Sequence, residues 1–87
     1  MYHVYVLYSS TFNKIYIGFT SDLDNRMLSH NELSNKGYTV RYRPWTIAFT
    51  EKFDTKKEAM NREKQLKSGQ GRAWIWKKLK NEGLISA

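Results

Sequence analysis

Tyr5-Val6-Leu7-Tyr8-Ser9-Ser10-Thr11-Phe12-Asn13-Lys14-Ile15-Tyr16-Ile17-Gly18, followed after Phe19-Thr20-Ser21 by Asp22-Leu23-Asp24-Asn25-Arg26-Met27-Leu28-Ser29-His30, is the stretch that decides the fold. It opens with two apolar-aromatic runs, Tyr2 to Tyr8 and Ile15 to Phe19, separated by the mostly polar link Ser9 to Lys14. β-Branched and aromatic runs joined by so short a link predict a hairpin. With an even number of loop residues, Tyr5 and Tyr16 face each other on one side of the sheet, their Cβ atoms about 5 Å apart. An odd loop without a bulge puts them on opposite faces.

Gly18 lies inside the second run. Glycine weakens a strand unless the backbone bends there or something approaches it closely. Gly18 therefore marks a bulge, a strand end or a close approach. Beyond it, Ser21 is a good N-cap, and Asp22 and Asp24 place carboxylates in the first turn, where the helix dipole favours them. Leu23, Met27 and His30 recur at helical spacing and define one face. Arg26 borders that stripe, with His30 one turn further on at i+4. Such a cation either snorkels along the apolar surface or faces an anion, and spacing alone leaves both open.

Val4-Tyr5, then Tyr16-Ile17-Gly18, then Arg26 and His30 on the next helix resemble the GIY-YIG nuclease domain. The Tyr-Ile-Gly triplet is literal. In the first triplet His3 stands where the family name has Gly and Val4 where it has Ile. Tyr5 is the member of that triplet that carries chemistry in the family. The resemblance covers nearly the whole chain and is to the small stand-alone endonuclease type.

At 87 residues the chain is one domain, residues 1–87, near the lower end of what a hydrophobic core alone sustains. The absence of cysteine excludes disulfides, thiolate metal sites and a cysteine nucleophile. With two histidines, a His-rich zinc site is not expected, and any metal is a hard cation held by carboxylate and water. No apolar run approaches the ~20 residues of a membrane span, and the N-terminus lacks the basic-then-apolar order of a signal peptide. A cytoplasmic protein with no membrane contact is expected. The net charge of +7 and the 15% aromatic content call for a polyanionic partner, most simply nucleic acid.

Along the chain, Met1 to Phe19 reads as the hairpin and Ser21 to about Leu33 as the first helix, closed by Asn35, Lys36 and Gly37. Gly37 to Pro44 is a basic-aromatic connection, with Pro44 biasing Arg43 towards extended geometry. Its interleaved arginines and tyrosines either contact phosphates and bases or drape half-buried over the sheet. Trp45 to Phe53 reads as a third strand. Thr55-Lys56-Lys57-Glu58 fits the capping box of a further helix. On that helix Ala59, Met60 and Leu66 share a face, with Glu63 among them. A carboxylate in an apolar stripe is costly unless paired or bound to a cation, so Glu63 is either a metal ligand or half of an ion pair with Arg26 or Arg62. Lys67 to Arg72 is a glycine-containing basic link lacking the GK[ST] ending of a P-loop. Ala73 to Glu82 reads as the last helix, closed by Gly83, with Trp74, Ile75 and Leu79 inward and Lys77, Lys78 and Lys80 solvated. The order β-β-α-β-α-α predicts an α+β fold, a three-stranded, mainly antiparallel sheet flanked by helices.

The resemblance implies a metal-dependent endonuclease that hydrolyses DNA phosphodiester bonds in DNA repair or processing. So small a domain has little room for sequence readout, so either structure-specific or weakly sequence-specific action is expected, or reliance on a protein partner for targeting. Glu63 resembles the single ligand of one Mg²⁺ or Mn²⁺. Arg26 would donate to the scissile phosphate, where its planar fork fits. Tyr5 or Tyr16 would orient the attacking water or take its proton. An ordinary tyrosine titrates near 10, so a phenolate needs nearby cations; Arg26, the metal, Lys14 and a protonated His30 are the candidates, or His30 relays the proton instead. Lys14, Arg41, Arg43, Lys67 and Arg72 are the expected phosphate contacts. The asparagine that some members carry after the acid helix has no good counterpart, Asn81 being a poor one. The competing classes are a non-catalytic nucleic-acid-binding module and an interaction module with an exposed apolar patch.

Overall fold

A computed structural model describes residues 1–33 and 37–84. β1 (Tyr2–Ser9) is the central strand, paired antiparallel with β2 (Lys14–Thr20) on one side and β3 (Thr46–Phe53) on the other. The predicted α+β fold with a three-stranded antiparallel sheet is the one observed. Residues from both faces of β1 are buried, which is why its sequence is a continuous apolar run rather than an alternating one.

Ser9 pairs with Lys14, so the hairpin loop is residues 10–13, an even count, and Tyr5 and Tyr16 share a face. They are diagonal rather than opposite: Tyr16 faces Leu7, and the residue across from Tyr5 is Gly18. Asn13 turns the loop at φ 53° and accepts a hydrogen bond from the Tyr8 hydroxyl at 2.9 Å. The bulge lies elsewhere, between β1 and β3, where Val6 pairs with Phe49 and Leu7 with Ile47, leaving Ala48 over.

Helices cover both faces. On one, α1 (Leu23–Leu28) widens into a π-helical turn, Ser29–Leu33, and the short α2 (Tyr38–Arg41) follows. Here Tyr5, Leu7 and Trp45 are buried, with Leu23, Met27 and Tyr42 packed against them. On the other, α3 (Lys56–Lys67) and α4 (Gly69–Asn81) bury Ala59, Leu66, Ile75 and Leu79 against Val4, Val6, Ile15 and Ile17.

Several local expectations are corrected. The cap of α1 is Asp22, not Ser21: the Thr20 hydroxyl accepts the Asp22 N–H at 3.0 Å, leaving the Asp22 carboxylate to accept from Asn25 N–H at 3.2 Å. The helix widens at Ser29, where Arg43 takes up the backbone carbonyls of Ser29 and His30. Asn35 and Lys36, the expected end of that helix, lie outside the described residues. Tyr38–Arg41 is helical rather than an extended connection, and Trp45 precedes β3 as a buried side chain whose indole donates to the Thr39 carbonyl at 2.7 Å.

At α3 the helix starts where the capping signature places it: Thr55 accepts the Glu58 N–H, and the Glu58 carboxylate takes the Thr55 hydroxyl rather than its backbone N–H. Met60 points outward, because the buried line runs Ala59, Leu66 and a residue next to Ala59 sits about 100° away. The basic link shrinks to Ser68 alone, whose hydroxyl caps α4 by accepting the Gly71 N–H. Trp74 is 43% exposed while Trp76 is half-buried, edge-on to Tyr8. Arg62 and Lys78 lie over the Trp74 ring instead. Gly83 ends α4 at φ 76°, donating to Lys80 while Leu84 donates to Leu79, a Schellman pair.

A Cβ on Gly71 would collide with the backbone of Gln65 and Leu66, atoms that cannot swing away, whereas one on Gly69 meets nothing within 4 Å. Thermal melts should therefore show Gly71→Ala losing about 1–3 kcal/mol. Gly69→Ala should gain up to about 1 kcal/mol.

Candidate active site

The site is assembled around one edge of the sheet. Tyr5 comes from the central strand, Tyr16 from β2, Arg26 from α1, His30 from the π-helical turn and Glu63 from α3. Tyr5, Tyr16, Gly18, Arg26 and Glu63 line a single cavity of about 430 Å³. Two helix layers can reach it together because β2 is an edge strand and Gly18 adds no side chain to the wall. A Cβ there would lie 2.5 Å from the Tyr5 hydroxyl, so of the sequence alternatives for Gly18 the close approach is the one observed.

Tyr5 is 2% exposed, and its hydroxyl lies 2.9 Å from Nε2 of the buried His30. The His30 ring also packs on Tyr16, with centroids 4.8 Å apart, and the two tyrosine rings are 6.3 Å apart. Burial, then the neighbouring Tyr16, pushes the Tyr5 phenol far above its ordinary value; Arg26 pulls the other way and is outweighed. Burial also pushes His30 below 6.5, helped by Arg26 and Arg43. At neutral pH the pair is thus a protonated phenol against a neutral imidazole. A phenolate supported by a protonated His30 does not match this electrostatic setting. Lys14 does not line the cavity and sits 5.6 Å from the centroid of the Tyr42 ring.

Glu63 is half-buried, with Lys67 Nζ 3.7 Å from its carboxylate. Neither proposed ion pair forms: Arg62 makes a two-pronged bond to Glu51 at 2.7 and 3.0 Å, and Arg26 is in no ion pair among the described residues. No three His, Asp or Glu side chains converge anywhere among the described residues. One carboxylate on a wet, open wall suits a Mg²⁺-like ion, which keeps most of its shell as water and substrate oxygen.

Of the expected phosphate contacts, Lys67 and Arg72 line an adjoining cavity of about 280 Å³ with Tyr16 and Tyr38. Arg41 is exposed beside Tyr38, and Lys14 lies by Tyr42, whose ring touches Phe12 and Tyr38. Arg43 is turned inward: its Nε donates to the His30 carbonyl at 2.6 Å and Nη2 to Ser29 at 3.2 Å, so it braces the site from within. Lys56, absent from the sequence expectations, lines the same cavity as Tyr5, Arg26 and Glu63. Its signal was available, since the capping box fixes the start of α3 and Lys56 stands two turns before Glu63 on the same face.

Because His30 in the folded state refuses a proton that the unfolded chain accepts, stability should fall as pH drops below 6.5. His30→Gln lacks that titration. The difference in melting temperature between wild type and variant should therefore narrow from pH 7.5 to 5.5, and a constant difference would contradict the burial of a neutral imidazole.

The GIY-YIG catalytic domain profile matches residues 1–80. A UPF0213 protein of Halobacterium salinarum is 42% identical over 67 residues, spanning 77% of this chain and 86% of that protein. A UPF0213 protein of Bacillus velezensis is 42% identical over 55 residues, 63% of this chain and 56% of its own length. The solution NMR structure of a UPF0213 protein from Bacillus halodurans superposes with a TM-score of 0.53 at 29% identity, covering 88% of this chain and 84% of that one. Fold, ordered motif residues and relatives agree, and the chain belongs to the GIY-YIG catalytic domain family, a family of divalent-metal-dependent nucleases.

Proposed function

We propose that the protein is an endonuclease that hydrolyses DNA phosphodiester bonds with one Mg²⁺ or Mn²⁺, acting structure-specifically or with weak sequence preference in DNA repair or processing. The observation that carries this is the convergence of Tyr5, Tyr16, Arg26 and Glu63, from four separate elements, on one cavity. Binding alone requires no carboxylate among the cations, because a negative charge there repels the ligand it would hold.

Glu63 would hold the metal, which when bound supplies stabilisation of charge on the phosphoryl oxygens. Arg26, unpaired in the described residues, donates to the scissile phosphate. The buried Tyr5 keeps its proton and shares it with neutral His30, so water activation is a relay. The water proton passes to the Tyr5 oxygen as the Tyr5 proton passes to Nε2. The water oxygen then bonds to phosphorus, the P–O bond to the leaving group breaks, and the departing alkoxide takes a proton from solvent in the open cavity. Tyr16 supplies the second phenol, positioned against His30 to orient the water.

Nicking of supercoiled plasmid with Mg²⁺, Mn²⁺ or EDTA tests the proposal. Arg26→Ala should lower the cleavage rate about 10²–10³-fold while DNA affinity changes far less; equal losses would reduce Arg26 to a contact. Glu63→Gln should abolish metal-dependent cleavage with the melting temperature unchanged or higher, since the loose pair with Lys67 is worth no more than ~1 kcal/mol. A destabilised but active Glu63→Gln protein would end the catalytic assignment.

A further inference from the structure

The catalytic cavity carries two cations, one from each helix layer. Arg26 enters from α1 and Lys56 from the first residue of α3. Neither is in an ion pair among the described residues. Lys56 stands seven residues before Glu63, close to two helical turns, so both project from one face. A lysine in a first turn opposes the helix dipole, and its exposed side chain buries nothing in the core. Helix stability does not account for it.

Charge and placement point the same way. Glu63, the one carboxylate lining the cavity, is loosely paired with Lys67; with a divalent ion on that carboxylate, Arg26 and Lys56 would both be left uncompensated. A single phosphodiester satisfies one of them. The cavity is lined from Lys56 and Glu63 on one helix to Arg26 on another, so the two cations flank the space rather than share one corner. Resting on the nuclease assignment above, we infer that Lys56 binds the phosphate next to the scissile one. The substrate class is then a strand with at least two consecutive charged phosphodiesters, and Lys56 sets which phosphate is placed against Arg26.

The test begins with binding, in EDTA, of a labelled DNA oligonucleotide across a salt series. Lys56→Gln should make the log–log salt slope shallower by about 1 and weaken affinity about tenfold at low salt. Lys56→Arg should restore the slope. Lys57→Gln, one residue on and outside the cavity, is the control; an equal effect there would make Lys56 ordinary surface charge and overturn the assignment. Cleavage then uses oligonucleotides with one neutral methylphosphonate beside the cut. Wild type should lose about tenfold in kcat/KM, mostly in KM, at one of the two neighbouring positions, and Lys56→Gln should be indifferent to that substitution. Continued sensitivity of Lys56→Gln would overturn the inference while leaving the nuclease intact. A wild type that never cleaves, yet shows the slope change at Lys56 alone, would remove the nuclease assignment and keep Lys56 as a phosphate contact.

Discussion

The hydrogen bond between the Tyr5 hydroxyl and His30 Nε2 is what the rest of the site depends on. Both groups are buried, so each would be left costly and unsatisfied without the other. The bond ties the central strand to the helical layer on one face. Several choices follow from it. Gly18 is bare so that the phenol can pass over β2. The helix widens at Ser29–Leu33, which sets His30 over the two tyrosines. Arg43 and Asn31 then hold the widened turn, Arg43 through the carbonyls and Asn31 through both backbone polar groups of Trp45.

The electrostatics divide the cations by task. Arg62 is spent on Glu51 and on the face of Trp74, stapling β3, α3 and α4 together. Lys78 bridges Phe49, Trp74 and Glu82 on the same side. At the sheet edge that carries Gly18, Arg26 and Lys56 are in no ion pair among the described residues, and this is where the cavity lined by Tyr5, Tyr16 and Glu63 opens. A net charge of +7 is therefore not spread evenly in effect, since the neutralised part is structural and the remainder is available to a polyanion.

Much of the fold was legible because local signals were strong. The two apolar runs specify the hairpin, the capping signature the start of α3 and Gly83 the end of α4; the register was left open with the loop length, and Tyr5 faces Gly18 rather than Tyr16. The convergence of Tyr5, Tyr16, Arg26 and Glu63 was legible only through resemblance, since no spacing rule brings α3 to the edge of β2. The misplacements have physical causes. Ser21 and Asp22 are both good caps, and the Thr20 hydroxyl decides between them. Gly69 and Gly71 read as a link, yet Gly71 is a contact between two helices and Ser68 caps the second. Arg43 looked like a phosphate ligand because composition cannot tell an outward guanidinium from one bonded to a helix's carbonyls. Whether the tyrosine carries its proton was left open by the sequence, because desolvation of Tyr5 depends on packing.

The bulge at Ala48 also bears on the free rim of β3. β3 is an edge strand of eight residues, and an unpaired rim of that length invites a strand from another chain. The extra residue breaks the two-residue repeat that an incoming strand must match, so hydrogen bonds aligned on one side of Ala48 are out of step on the other. Further along, Glu51 is already committed to Arg62, and the exposed Lys52 puts a charge on the edge strand. An irregularity between the central strand and its neighbour thus also makes the free rim of β3 a poorer template for an added strand.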